Sequence, residues 1–389
     1  MTERWGRRRF LKTGLAAAAA PVLGTTWLQR PPPEPIMRYR TLGRTGLKVS
    51  EIGFGGYPIR DPELLRYAIE RGINYIDTSD DYRGGASEET IGRGLRGLRD
   101  QVVLATKWHP WARTKKAEML AGLDQSLRRL QTDHVDILQV HQVGKRSGGE
   151  SIERLENQDL WSAYETAKQA GKVRFVGITG HDGDLMQVMR YVLDHTPADM
   201  ILNRYSFLDY PEQKALFAEA KRRGIGVAVM KTLAGAKGQR LDPWRRGDAT
   251  FQQAALRWTL SNPNIAVAVI SISSRSQVDE YVGAVARAFN STDQALLDRY
   301  AARYSQEYCR LCNACEPACP AALPIADTLR FAMYAEDYGD LERGRAAYAK
   351  LAPERRAAVC ATCAAPCLHA CPYKLDIRTL MGRADRLLA

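Results

Sequence analysis

Hydrophobic residues along this chain come in short continuous runs, separated by longer stretches in which apolar positions recur every three to four residues. Eight runs stand out: SEIGFGG (50–56), NYIDTS (74–79), VVLATKW (102–108), VDILQVH (135–141), VRFVGITG (173–180), MILNRYS (200–206), GVAVMKTL (226–233) and AVAVISIS (266–273). Runs of this length, rich in β-branched residues and apolar on both faces, predict parallel strands buried on both sides. A helical pattern follows each of them. Eight strand–helix units predict an α/β fold of the (β/α)8 TIM-barrel type, and residues 38–300 match the roughly 250 residues such a barrel uses. No G-x-G-x-x-G opens a helix, so a dinucleotide-binding open sheet has no support. Ahead of the first run, RYRTLGRTGLKVS (38–50) carries the turn signals of a hairpin placed to plug the barrel floor.

The pattern changes after residue 300, where all eight cysteines fall in two runs: Cys309, Cys312, Cys315, Cys319-Pro320 and Cys360, Cys363, Cys367, Cys371-Pro372. The first run has the C-x2-C-x2-C-x3-C-P spacing in which three thiolates reach one iron–sulfur cluster and the fourth ligates the other. The second run repeats the first, down to CPAALPI against CPYKLDI, although Cys363 and Cys367 stand one residue further apart. Internal duplication accounts for this. The expected ligand sets are Cys309, Cys312, Cys315 with Cys371, and Cys360, Cys363, Cys367 with Cys319, holding two [4Fe-4S] clusters in a small α-helical, ferredoxin-like domain over 301–389. Four disulfides or zinc are the alternatives. Disulfides need no doubled C-x2-C, and tetrahedral zinc calls for two ligand pairs where each run offers three plus one.

The amino terminus adds Arg7-Arg8-Arg9-Phe10-Leu11-Lys12, a twin-arginine pattern, followed by an alanine-rich stretch to Leu28 and an extended RPPPEPI linker. Residues 1–37 therefore read as a Tat signal and linker. This implies export to the periplasm or cell envelope by the Tat machinery, with cleavage or retention as an anchor both open. The formal charge is +12, but residues 1–36 hold six basic and two acidic residues, so a third of it lies in the leader. No basic run with interleaved aromatics occurs in the body, and nucleic acid is not an expected partner.

In a barrel of this type the chemistry sits at the carboxyl ends of the strands. Asp77 ends the second run, Tyr82 lies five residues beyond it, Lys107 ends the third and His141 ends the fourth. Together they make a proton-donor set: a phenol as acid, an ammonium expected to lower its pKa, a carboxylate to hold the ammonium, and an imidazole to orient a substrate oxygen. Trp108, His109 and His181 are further rim residues, with packing as the competing explanation.

With RTLGRTGLKVSEIGFGG, GINYIDT and Tyr82, SEETIG (87–92), Lys107, QTDHVDILQVH and GKVRFVGIT, the chain from Arg38 to Tyr300 resembles the aldo-keto reductases. Its cysteine-rich tail makes it similar to their iron–sulfur branch. The resemblance implies NAD(P)H, with Thr179 at the carboxamide contact, Asn203 (or Leu202 in another register) beside it, and Met230 where an aromatic commonly stacks. It further implies Lys231, Leu233 and Gly235 along the pyrophosphate, and Ser273, Arg275 and Gln277 near the adenosine phosphate. NAD and NADP both remain open. The resulting expectation is an exported oxidoreductase that reduces a small carbonyl compound, or oxidises an alcohol, coupled to iron–sulfur electron transfer and to an electron-transfer partner protein. The alternative is an electron-transfer module whose barrel docks a partner without turnover.

Overall fold

The computed structural model describes residues 37–144, 150–208, 212–234, 245–246, 249–336 and 339–389. The twin-arginine segment and the linker lie outside the described residues. The chain begins with an antiparallel hairpin, β1 (Tyr39–Thr41) and β2 (Lys48–Ser50). There follow β3 (Ile52–Gly55), α1 (Pro62–Glu70), β4 (Tyr75–Asp77), α2 (Ala86–Gly94), β5 (Val103–Trp108), α3 (Lys116–Leu130), β6 (Val135–Val140) and α4 (Gln158–Gln169). Next come β7 (Val173–Gly180), α5 (Leu185–His195), β8 (Met200–Arg204), α6 (Gln213–Arg222), β9 (Gly226–Met230), a second small hairpin β10 (Arg245–Arg246) and β11 (Ala249–Thr250), α7 (Phe251–Leu260), β12 (Val267–Ser271), α8 (Arg275–Gly283) and α9 (Ser291–Tyr304). Strands β12, β3, β4, β5, β6, β7, β8 and β9, in that order, close into a parallel barrel. Each expected run contributes one strand.

Strand parity sorts the apolar residues into two layers. Phe54, Ile76, Leu104, Leu138, Val176, Ile201, Val229 and Ile270 face outward and pack under the helices. Tyr75, Val103, Ala105, Ile137, Met200, Leu202, Ala228, Val267 and Val269 face inward, joined from below by Leu42 and Val49 of the hairpin. The floor is thus plugged as expected. A Cβ on Gly226 would stand 2.7 Å from Leu42, and Gly43, at φ +51°, lies against the backbone of Gly226; only glycine permits that approach. Arg40 ties the hairpin in place by donating to the carbonyls of Leu260 and Ile265 and to Glu51.

Beyond α9, two cysteine loops alternate with α10 (Ile325–Glu336), α11 (Leu341–Ala349), the short α12 (Cys367–Ala370) and α13 (Ile377–Leu388). The duplicated motif reappears as structure. Each Cys-Pro is followed by a left-handed residue, Ala322 or Lys374, and then by a helix opening at Ile325 or Ile377. This part lies on the carboxyl-end face of the barrel and belongs to the same compact unit, residues 35–389. Arg330 pairs with Asp182 after β7 at 2.7 Å, and Tyr57 after β3 donates to Asp340. A Cβ on Gly183 would meet the Cys312 backbone at 2.8 Å.

Candidate active site

Inward parity carries Tyr75 to Asp77, Ala105 to Lys107, and Ile137 through Gln139 to His141, so the strand register itself gathers these polar side chains at the mouth. Lys107 Nζ donates to Asp77 Oδ1 (2.5 Å) and to the Thr78 carbonyl (2.6 Å), and stands 3.5 Å from Tyr82 Oη. Gln139 Nε2 donates to the other Asp77 oxygen at 2.7 Å. The ion pair is buried and its hydrogen bonds are made, the condition under which a buried charge pair is tolerated. His141 Nδ1 lies 3.0 Å from Ser79 Oγ, and its ring meets Tyr82 edge-on at 5.6 Å. Gln139 could have been found from its parity between Ile137 and His141.

Tyr82 opens a turn in which Arg83, Gly84 and Gly85 all have positive φ. A Cβ on Gly85 would strike Arg129 at 2.9 Å, and that arginine is fixed by the buried Glu88, which also accepts from Thr106 (2.5 Å). Ser87 donates to the Gly56 carbonyl at 2.8 Å. The SEETIG segment thus anchors the loop that delivers the phenol.

Burial pushes the Tyr82 hydroxyl well above its ordinary pKa, Asp77 and Asp81 add to the rise, and Arg343 offsets part of it. This reverses the expected lowering. The charge of Lys107 is taken up by Asp77 and Thr78, leaving desolvation as the largest effect. Tyr82 therefore carries its proton at neutral pH.

Tyr82, His141, Asp77, Tyr57, Gln142 and His181 line a cavity of about 100 Å³ together with Met230, Lys231, Thr232, Leu233 and Ser271. Tyr334 and Arg343, from α10 and α11, complete the wall. No local sequence signal connects those two residues to Tyr82 and His141, more than 190 positions earlier. Trp108 faces outward, donating to Tyr164 Oη at 3.1 Å, whereas the His109 ring lies 4.3 Å from that of His141 and its Nδ1 stands 3.2 Å from Asp80 Oδ1, which accepts.

The nucleotide positions divide. Thr179 is buried and inward-facing, its hydroxyl accepting from the Gln142 N–H at 2.8 Å. Lys231 and Leu233 line the cavity, and burial with nearby Arg330 and Arg204 brings the Lys231 ammonium down to about 7. Asn203 does not line it. Leu202 has the inward parity in β8 and pairs in register with Thr179, so Asn203 turns to the outer layer, where its buried amide has no hydrogen-bond partner among the described residues. Gly235 lies outside the described residues. Ser273 donates to Gln277 Oε1 (2.8 Å from its N–H), Ser274 caps α8, and Arg275 covers the Tyr67 ring at 5.1 Å. Thr232 Oγ1 is buried in the cavity wall without a partner among the described residues. That orphaned hydroxyl, Lys231 and the N-terminus of α8 fit the phosphates and amide of a nicotinamide dinucleotide.

His181 sits against Asp182, Nδ1 to Oδ1 3.1 Å, and burial brings its pKa down from 6.5 to about 3. The unfolded chain gains this proton near pH 6.5 and the folded chain does not. Stability from the neutral group is therefore complete above that pH and is lost toward pH 3. In His181→Gln the dependence of unfolding free energy on pH between 6.5 and 3 should be shallower by about 1.4 kcal/mol per pH unit. Chemical denaturation at stepped pH measures this; an unchanged slope would mean that other groups carry it.

All eight cysteines are free of disulfides. Cys315 feels the charges of Cys309, Cys312 and Cys371, while Cys360 feels those of Cys319, Cys363 and Cys367. The grouping crosses the two runs as expected from their spacing. Backbone N–H groups of Leu311, Leu323, Ala365 and Leu375 point at Cys309, Cys319, Cys363 and Cys371, at 3.3 to 3.5 Å. Left-handed Leu311, Asn313 and Ala365 bend the loops, and Ala365 with Pro366 absorbs the extra residue before Cys367. Burial and the neighbouring cysteines push the Cys309 and Cys360 thiols up to about 11, so a cation would be needed to hold the four sulfurs of each quartet as thiolates at neutral pH. Tetrahedral zinc would draw its sulfurs to roughly 3.8 Å from one another. Among the described residues, the ligand groups lying within 4.8 Å of one another are Asp81, His109 and His141, with no cysteine trio. The wider quartets, one lining a cavity of about 370 Å³ with Leu323, Ile325 and Ile377, have room for a larger iron–sulfur frame.

Residues 58–242 match the model of the aldo/keto reductase family. L-galactose dehydrogenase of Arabidopsis thaliana is 32% identical over 286 residues, covering 63% of this chain and 87% of that protein. L-glyceraldehyde 3-phosphate reductase of Escherichia coli (strain K12) is 25% identical over 344 residues, 71% of this chain and 96% of that one. Among solved structures, the holo form of an aldo-keto reductase from Bacillus halodurans superposes with a TM-score of 0.56 at 26% identity, covering 68% of this chain and 96% of its own. Fold, inward-facing polar set and relatives agree: the chain is an NAD(P)-dependent oxidoreductase and belongs to the aldo/keto reductase family.

Proposed function

We propose that this protein reduces the carbonyl group of a small molecule, or oxidises the corresponding alcohol, with Tyr82 as the acid and base. The observation that carries the reading is the placement of Tyr82 Oη 3.5 Å from a buried Lys107–Asp77 pair and beside His141, in one cavity. Bound NAD(P)H supplies the hydride. His141 orients the carbonyl oxygen, Tyr82 gives that oxygen its proton as charge develops, and Lys107 steadies the phenolate left behind. The oxygen keeps the electron pair released from the C=O bond, and the proton neutralises it. The test is to mix the anaerobically purified full chain with NADH or NADPH and a panel of aldehydes. Nucleotide should be oxidised with an equal amount of alcohol formed; no turnover with either nucleotide would overturn the proposal.

In the same reading Cys309, Cys312, Cys315 and Cys371 hold one [4Fe-4S] cluster, Cys319, Cys360, Cys363 and Cys367 hold a second, and a partner protein exchanges electrons with them. Support comes from the crossed thiol quartets and their N–H donors. The competing reading, a docking scaffold without turnover, draws support from the outward turn of Asn203. The twin-arginine pattern supports export through the Tat machinery. Replacing Arg7 and Arg8 with Lys should then leave folded protein in the cytoplasm, as cell fractionation would report; unchanged export would rule out that route.

A further inference from the structure

Arg343 reaches the cavity from the first turn of α11, a helix capped by Asp340, which accepts from the Arg343 N–H at 3.1 Å and also from Tyr57 Oη. Its guanidinium carbon lies 4.7 Å from the centre of the Tyr57 ring and 4.3 Å from that of Tyr334. Cation–π contact with the two rings holds the group, and its in-plane N–H donors remain for other work. Among the described residues, the guanidinium makes no ion pair or hydrogen bond.

The charge of the cavity wall is correspondingly one-sided. Arg343 acts on both Tyr82 and Lys231, drawing protons from each. The carboxylate in the wall, Asp77, is already engaged by Lys107 and Gln139. Tyr57 links the two ends: its ring lies 5.6 Å from the Tyr82 ring and beneath Arg343. A guanidinium that no carboxylate pairs with among the described residues, one ring away from the proton donor, favours an anion, because a partly desolvated charge gains from a partner and a planar fork matches carboxylate or phosphate oxygens.

We propose that Arg343 determines specificity by taking an anionic oxygen group, carboxylate or phosphate, carried a few bonds from the carbonyl that Tyr82 protonates. The proposal rests on the carbonyl-reduction reading of the same cavity. It makes the carboxy-terminal segment part of the substrate site, with the barrel supplying the chemistry and α11 the selectivity.

Matched substrates test it: succinic semialdehyde against butyraldehyde, and glycolaldehyde phosphate against glycolaldehyde, with the full-length protein. The anionic member of one pair should have a kcat/KM at least about tenfold higher, and the pair that responds separates carboxylate from phosphate. Arg343→Gln should collapse that ratio, and Arg343→Lys should restore part of it, keeping the charge without the fork. Equal kcat/KM within both pairs, with turnover intact, overturns the inference and leaves carbonyl reduction standing. A loss of nucleotide affinity in Arg343→Gln that exceeds any loss for the anionic substrate also overturns it, by assigning Arg343 to the cofactor. Calorimetric binding of 4-hydroxybutyrate against butanol, and of hydroxyethyl phosphate against ethylene glycol, needs no turnover. Anion binding that Arg343→Gln abolishes upholds the site even if every aldehyde fails and carbonyl reduction falls; no anion preference in binding overturns it.

Discussion

Replacing Tyr82 with Phe should lower kcat for aldehyde reduction by on the order of 10²-fold or more while leaving nucleotide affinity within about twofold. The substitution removes one hydroxyl from a half-buried ring that also packs edge-on against Tyr57 and His141. The cavity keeps its shape, so the deficit measures the proton and not the fold. The direction of the Tyr82 shift adds a second expectation. Because burial holds the phenol well above its ordinary range, reduction should run undiminished through neutral pH and fall only in the alkaline range, where the acid loses its proton. Alcohol oxidation needs the phenolate and should rise over that same interval. Steady-state kinetics in both directions, with nucleotide titration by fluorescence, cover both points. A Phe variant with parent activity would remove Tyr82 from the acid role.

The second large effect concerns iron. If the thiol quartets cross the two cysteine runs, Cys315→Ala with Cys319→Ala strikes both clusters, although the two residues are four positions apart. Bound iron should fall from about eight atoms to near zero. Cys315→Ala with Cys371→Ala, far apart in the chain, strikes a single quartet and should leave about four. Pairing within each run gives the opposite outcome for both double variants. Iron and sulfide assays after anaerobic reconstitution decide between them, with electron paramagnetic resonance reporting the cluster that survives. Zinc or disulfides in place of iron would remove the electron-transfer reading altogether.

Much of this molecule is written locally. The eight strands could be read because a barrel strand is buried on both faces and must be apolar almost throughout, a demand visible in five to eight consecutive residues. The inward polar set could be read for a related reason: once β4, β5 and β6 are placed, parity alone sends Asp77, Lys107 and His141 to the same face as Tyr75, Ala105 and Ile137. The crossed grouping of the thiols follows from spacing, since a loop of two or three residues keeps its own thiols together while the cysteine before proline turns away.

Other features depended on which surfaces met. Asn203 and Leu202 are adjacent, and only the observed register with β7 shows that Leu202 faces in and Asn203 out; a slip of one residue exchanges them. The Tyr82 shift came out opposite to what its neighbour suggested, because desolvation depends on everything that covers the ring, α10 and α11 included. Arg343 and Tyr334 enter the cavity only when the carboxy-terminal helices settle across the barrel mouth, through contacts such as Arg330 with Asp182 and Tyr57 with Asp340. By itself the sequence determined the barrel, the inward polar set and the thiol spacing, because short-range burial and chain geometry leave few choices. The protonation of Tyr82, the orientation of Asn203 and the charge of the cavity wall were decided by the tertiary structure, because each arises from groups distant in the chain whose meeting no local pattern records.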